Sequence, residues 1–360
     1  MAALPKSVSD PVADAIYSHY KAVYGSEPAR PYLGASALGK SCSRQLWYGV
    51  RWAKPAEFPG RLYRVFQTGH LQEPRVVSDL RGIGCTVDEV DPKTGKQWSF
   101  SEESTGHHLA GNLDGQVTGV PGAPKVKHVL EVKTSSDKYF KIMQKDGVEK
   151  AKPEHYAQMQ LYMHWSQCTR ALYFVVNKDN EEIYTERVEY SHDKAHALID
   201  KANAIIDSAV PPARLSEDPT WFECKFCDYQ SMCHGQELPA VNCRTCAHST
   251  PVKVGKATWV CTKYESEIPV DGQREGCGGH LYIPILLDKC AKPVDGDATH
   301  VVYEMSNGAQ FINGDPDEFG AHMSSQEIFS VADKSALGDV KVVELRQQMV
   351  EQFPGTRLVA

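Results

Sequence analysis

Val129-Leu-Glu-Val-Lys-Thr134, with Gly111-Asn-Leu-Asp-Gly115 ahead of it, is the stretch on which the reading of this chain turns. Alternation along an extended strand sends Glu131 and Lys133 to one face and Leu130 and Val132 to the other. A carboxylate two positions from an ammonium, on an otherwise apolar strand, is costly to bury unless both charges are compensated. A divalent cation with a phosphate substrate would compensate them. Asp114, seventeen residues before Glu131, sits beside another strand-like run. Two acids converging on Mg²⁺ or Mn²⁺ through oxygen, with a lysine to orient water, make a phosphodiesterase site.

Around this centre the chain alternates helical and extended patterns. Helices are expected over 10–24, with Asp10 as N-cap and Pro11 in the first turn, and over 36–50, 68–81, 153–167 and 192–210. Strands are expected over 84–91, 107–118 and 126–134, and 171–178 pairs with 181–190 as a hairpin. Thr68-Gly-His-Leu-Gln-Glu73 puts His70 and Glu73 on neighbouring faces of one helical turn. The 153–167 helix, with Tyr156, Met159, Gln160 and Met163 in one stripe, carries Gln158-Met-Gln-Leu-Tyr162.

In this order and spacing, Asp114, Glu131-Val-Lys133, the His70–Glu73 turn and the Gln158–Tyr162 pair resemble the PD-(D/E)XK nuclease superfamily, over residues 30–235. The resemblance implies an α/β restriction-endonuclease-like core, a mixed central sheet flanked by helices. It implies an exodeoxyribonuclease that hydrolyses DNA from free duplex or single-stranded ends, with a bias towards 5′→3′. Asp114, Glu131 and the backbone carbonyl of Val132 would then hold Mg²⁺ or Mn²⁺, helped by His70 or Glu73. Lys133 would position the attacking water, while Gln158 and Tyr162 would contact the strand. The implied setting is recombination, repair or DNA degradation, of phage type, with a single-strand annealing or other recombination protein as partner. The rival reading is a catalytically silent nuclease fold that binds or assembles on DNA.

Cysteine usage adds a second layer. Eleven cysteines in a chain without a secretion pattern point to metal or redox chemistry, and seven of them fall between Cys224 and Cys277. Cys224, Cys227 and Cys233 form C-x₂-C-x₅-C, one thiolate short of a closed set. The isolated Cys42 can complete it, and so can His234 or Cys243, with zinc as the rival occupant. One cysteine before the core and this triplet after it resemble the iron–sulfur RecB-type nucleases, including the AddB subunit and the exonucleases of CRISPR adaptation. That resemblance assigns a [4Fe–4S] cluster to Cys42, Cys224, Cys227 and Cys233. Downstream, Cys243, Cys246, Cys261 and Cys277 suit tetrahedral Zn²⁺, with His280 as an alternative to Cys277.

Across its 360 residues the chain carries a net charge of −7 and is 41% hydrophobic, with no apolar run long enough to span a bilayer. An intracellular, cytoplasmic protein with no membrane partner is expected. Charge is unevenly spread. Residues 30–64 hold seven bases against the single acid Glu57, interleaved with Tyr32, Trp47, Tyr48, Trp52, Phe58 and Tyr63, a mixture suited to phosphates and bases, although Trp47, Tyr48 and Trp52 read equally well as a helix face packed into the core. Residues 293–333 hold eight acids and no Lys or Arg, and that end should repel DNA. Four regions follow: 1–65, a helical region with the basic-aromatic, DNA-facing segment and Cys42; 66–236, the nuclease core; 237–290, a zinc module; and 291–360, an acidic α/β appendage. Within the last, 298–312 reads as a hairpin turning at Asn307-Gly308, and 324–352 as helix with a short strand over 340–345.

Overall fold

The computed structural model describes residues 10–315, 322–331 and 333–339, and positions 341, 342, 344 and 348. The strand expected over 340–345 is not borne out at its described positions, since Lys341, Val342 and Glu344 are helical; the rest of it lies outside the described residues. Helix α1 (Pro11–Tyr24) starts as its sequence predicts: the Asp10 carboxylate accepts the Val12 and Ala13 N–H groups, both at 3.1 Å. After the short strand β1 (Leu33–Gly34), the helix expected over 36–50 is reduced to α2 (Ser43–Val50), with Cys42 as its N-cap residue. Helix α3 (Gly60–Gly82) is longer than expected and carries His70 and Glu73 just before Pro74.

Five strands form the central sheet: β2 (Thr86–Asp88), β5 (Gly115–Thr118), β6 (His128–Ser135), β7 (Arg170–Asn177) and β8 (Ile183–Glu189), in the order β2-β5-β6-β7-β8. Only β6 and β7 run parallel; the other neighbours are antiparallel, so the sheet is mixed. Strands β3 (Ser99–Ser101) and β4 (Leu109–Asn112) join β1 in a second small sheet. The stretch 107–118, expected as one strand, is thus two strands in different sheets. The chain turns between them at Leu113-Asp114.

Side-chain alternation sorts the sheet faces. Leu130 and Val132 of β6 and Leu172, Phe174 and Val176 of β7 bury against Val76, Val77 and Leu80 of α3. Val129 and Tyr173, on the opposite face, join a larger core with helices α4 (Asp137–Ala151), α5 (Pro153–Ser166) and α6 (His192–Asp207). Helix α4 has no clear stripe in the sequence, and Gly147 at φ +72° kinks it. In α5, every residue from Ala157 to Met163 is buried, so the single apolar stripe expected there is instead a helix enclosed on all sides.

Two short helices follow, α7 (Phe222–Lys225) and α8 (Gln230–His234). The second cysteine region folds as a three-stranded sheet, β9 (Ser249–Pro251), β10 (Trp259–Cys261) and β11 (Ser266–Glu267), with helix α9 (Val270–Glu275). The acidic segment forms a four-stranded sheet of β12 (Lys292–Gly296), β13 (His300–Glu304), β14 (Gln310–Gly314) and β15 (His322–Met323), then α10 (Ser325–Ser330). Strands β13 and β14 are the hairpin expected around Asn307-Gly308. Neither region stands apart: Trp259, Tyr282, Tyr303 and Ile328 belong to the same buried cluster as Trp47, Phe140 and Tyr173. Among the described residues, no helix is long and apolar enough to cross a membrane.

Candidate active site

Strands β5 and β6 pair at Val117–His128, Gln116–Val129 and Gly115–Leu130, then part. One step beyond the last pair, the register sets Asp114 opposite Glu131 at the open end of the hairpin. The Asp114 carboxylate accepts the Val132 N–H at 2.8 Å, in place of the ladder partner that β5 no longer supplies. A strand residue's N–H and carbonyl point to the same side, so the Val132 carbonyl shares the Asp114 side, away from β7.

Glu131 is fully buried and forms an ion pair with Lys133, whose side chain remains about a quarter exposed, at 28%. No hydrogen bond of acceptable geometry satisfies either Glu131 oxygen. Burial pushes the Glu131 carboxyl up to about 7 against the pull of Lys133, and Asp114 and Glu73 push it the same way. Burial also raises Asp114, with Lys133 opposing. Burial and then Asp114 raise Glu73, while His70, whose Nδ1 lies 3.3 Å from Glu73 Oε1, opposes them. Three carboxyl groups, one ammonium and one imidazole therefore act on one another at a single point.

Helix α5 roofs this point. Gln158 donates from Nε2 to the Tyr162 hydroxyl at 3.2 Å, and burial followed by the Glu131 charge raises the phenol. The Tyr162 ring lies flat enough on β4 that a Cβ at Gly111 would stand 2.7 Å from its Cε1. An open cleft of about 1060 Å³ exposes Val132, Lys133, His70 and Glu73, and is lined as well by Tyr24, Arg30, Phe58, Tyr63 and Phe66. His155 also lines it, its Nδ1 2.6 Å from the Tyr173 hydroxyl and its imidazole held neutral, near 3, by burial and Lys133. Sequence reading missed His155, a lone histidine in a first helical turn with nothing nearby to mark it.

The basic-aromatic segment divides in two. Arg30, Phe58 and Tyr63 face the cleft. Trp47 and Tyr48, expected to face DNA, are buried in the core, and Arg51 is buried with its guanidinium 5.0 Å from both the Trp47 and Trp259 rings. The apolar spacing of α2 outweighs its charge pattern there.

Cys42, Cys224, Cys227 and Cys233 line one small pocket, joined by Arg44, Tyr48, Tyr229 and His234. Burial raises the Cys224 and Cys227 thiols, and the nearby Cys42 and Cys233 thiols raise them further. In the second set, burial and the Cys277, Cys246 and Cys261 thiols push Cys243 up to about 12, and Cys246 up to about 11. His280, the alternative to Cys277, sets its Nε2 3.2 Å from the Thr245 hydroxyl, while its buried Nδ1 makes no hydrogen bond. Among the described residues, no three His, Cys, Asp or Glu side chains are already closed around a metal-sized point. For a hard cation none is needed, because Mg²⁺ takes one or two carboxylates and keeps its waters. The unsatisfied Glu131 oxygens, Asp114 and the Val132 carbonyl fit that all-oxygen requirement. Neutral thiols have no reason to close to ligand spacing, since the thiolate is what ligates.

No protein-family model matches the sequence, and no curated protein matches it significantly. Among solved structures, the crystal structure of SSO0001 is similar over 62% of this chain and 96% of its own, at 16% identity and a TM-score of 0.39. The alkaline exonuclease LHK-Exo from Laribacter hongkongensis is similar over 52% of this chain and 90% of its own, at 17% identity and a TM-score of 0.36. A phage-related exonuclease from Haemophilus somnus 129PT is similar over 48% and 92%, at 15% identity and a TM-score of 0.35. Likenesses this distant do not decide an activity, which has to be read from the side chains themselves.

Proposed function

We propose that this protein is a Mg²⁺- or Mn²⁺-dependent nuclease that hydrolyses DNA phosphodiester bonds from free ends, in the 5′→3′ direction. The observation that carries the reading is Glu131: a fully buried carboxylate facing Asp114 and paired with Lys133, which itself lines the open cleft. Asp114, Glu131 and the Val132 carbonyl would hold the cation, with Glu73 and His70 at its open side. When bound, the cation would lower the pKa of a coordinated water and neutralise charge on the phosphate. Lys133, released from part of its bond to Glu131, orients the attacking water and stabilises the phosphate oxygens. Tyr162 and Gln158, expected to contact the strand, are buried in α5 and do not line the cleft, so their part is to pack beside Glu131. Arg30 and the Phe58, Tyr63 and Phe66 rings suit an unpaired strand entering the cleft. A [4Fe–4S] cluster on Cys42, Cys224, Cys227 and Cys233, and Zn²⁺ on Cys243, Cys246, Cys261 and Cys277, are proposed as structural, since neither set reaches the cleft.

End-labelled linear DNA incubated with Mg²⁺ tests the site. Lys133→Ala should lower the cleavage rate at least a hundredfold while the melting temperature stays within a few degrees of wild type, within the usual range for a positioned catalytic group. Wild-type rates in Lys133→Ala and in Glu131→Gln would overturn the assignment.

A further inference from the structure

The second cysteine region reaches back across the chain to the wall of the cleft. Three consecutive carbonyls of that wall are held from outside. Arg274 Nη2 donates to the Ala29 carbonyl at 2.7 Å, Trp52 Nε1 to the Arg30 carbonyl at 3.0 Å, and Arg244 Nη2 to the Pro31 carbonyl at 2.9 Å. The three holders form one stack. The Arg244 guanidinium lies 3.6 Å from the Trp52 ring centre, with Arg274 at 4.8 Å from the same ring. Trp52 adopts a left-handed backbone, φ +49°, which an indole residue accepts only where its surroundings over-determine it.

Arg244 stands between Cys243 and Cys246, so whatever fixes those two sulfurs fixes the backbone from which it projects. Its Nε donates to Gln273 Oε1 at 2.9 Å and its Nη1 to the Val50 carbonyl at 2.8 Å. Gln273 and Arg274 both belong to α9, which ends just before Cys277. Arg30, the residue whose carbonyl is gripped in the middle, itself lines the cleft, with its Nη1 beside Gly34 and its charge near enough to Tyr162 to act on the phenol. Two arginines and a tryptophan thus converge on a solvent-facing loop of main chain.

We propose that the Cys243–Cys277 region is a clamp that positions Arg30 as a phosphate-binding residue of the cleft, with Arg244, Trp52 and Arg274 as its positioning residues. Metal on the four thiols then governs how tightly the cleft holds a nucleic-acid strand, without taking part in hydrolysis. The clamp rests on the nuclease reading only for the identity of the strand.

Binding of a fluorescein-labelled single-stranded oligonucleotide to the full chain, followed by anisotropy with no Mg²⁺ or Mn²⁺ added and no chelator, separates the two claims because no cleavage is involved. Arg274→Ala, at an edge position that keeps the buried Arg244, should weaken binding about tenfold, the scale of one charge-assisted contact. Arg30→Ala should do the same, and the double variant should be no weaker than either single one. Arg274→Lys, which keeps a donor, should recover most of the loss. Cys277→Ser should lose bound zinc by elemental analysis and show the same weakening. Cleavage by these variants should show a raised KM with a smaller change in kcat. Wild-type binding by Arg274→Ala, or losses that multiply in the double variant, would overturn the clamp and leave the nuclease reading intact. A wild-type protein that neither binds nor cleaves would overturn both.

Discussion

Glu131 brings the chemistry and the stability of this molecule into conflict. Its folded-state carboxyl sits near 7, above its ordinary value, because burial disfavours the charge more than Lys133 rewards it. The folded chain therefore holds a proton that the unfolded chain releases at lower pH. The stability this gives is complete below the ordinary carboxylate range and is lost as pH rises through 7. Buried neutral histidines such as His155 pull the other way over the same range, so the Glu131 contribution is read as a difference. Glu131→Gln removes the charge at constant shape. In chelator, the melting temperature of wild type should fall relative to Glu131→Gln between pH 5.5 and 7.5, roughly the span of that titration, and Mg²⁺ should raise wild type more at pH 8 than at pH 6. The substitution should also abolish cleavage. Differential scanning fluorimetry of both proteins across pH checks this. A difference that moves in favour of wild type as pH rises would contradict the assignment of Glu131.

At the scale of elements, the site depends on β5 and β6 separating where α5 crosses them. Gly111 of β4 allows the Tyr162 ring its close approach, and a Cβ there would also meet the Ala35 Cβ at 3.0 Å. Gly111→Ala should displace the ring and lower cleavage about tenfold or more, at a stability cost of about 1–3 kcal/mol from overpacking. Cleavage kinetics with a urea melt test this, and an unchanged rate would show that the position of Tyr162 is not critical.

Much of this arrangement was legible beforehand because it is periodic. Strand β6, the β7–β8 hairpin and the cap at Asp10 follow from alternation and from one side-chain acceptor, whereas the parallel pairing of β6 with β7 does not. What was not legible came from tertiary context. The break at Leu113-Asp114 lies inside a run that alternates without interruption, and helix α4 hides its few apolar residues, Phe140, Met143 and Val148, among charges. For Trp47 and Tyr48 the spacing allowed either a DNA-facing or a core-packed helix face, and burial selects the core. His155 acquires its place only when β7 brings Tyr173 beneath it.

At the scale of the whole molecule, both ends of the catalytic half return to one place. Cys42 precedes α2, and its partners lie beyond α6, so a group held by all four thiols would close nearly the whole catalytic half into one loop. Loop closure of that length is worth about 5 kcal/mol of unfolded-chain entropy. Anaerobically purified protein should contain iron and absorb near 400 nm, roughly where thiolate-bound clusters do. Cys42→Ser should lose that absorbance and melt markedly lower while keeping zinc. Iron-free wild-type protein would remove the cluster from the account but leave the carboxylate site standing.

The central claim is that the Asp114–Glu131–Lys133 point hydrolyses DNA from an end when a divalent cation is present. Its most direct measurement follows wild-type protein acting on linear and closed-circular DNA of the same sequence, each with Mg²⁺ and with chelator. Progressive loss of the linear form with Mg²⁺ alone, and persistence of the circle, is the predicted result. Equal persistence of both forms with Mg²⁺ would contradict it.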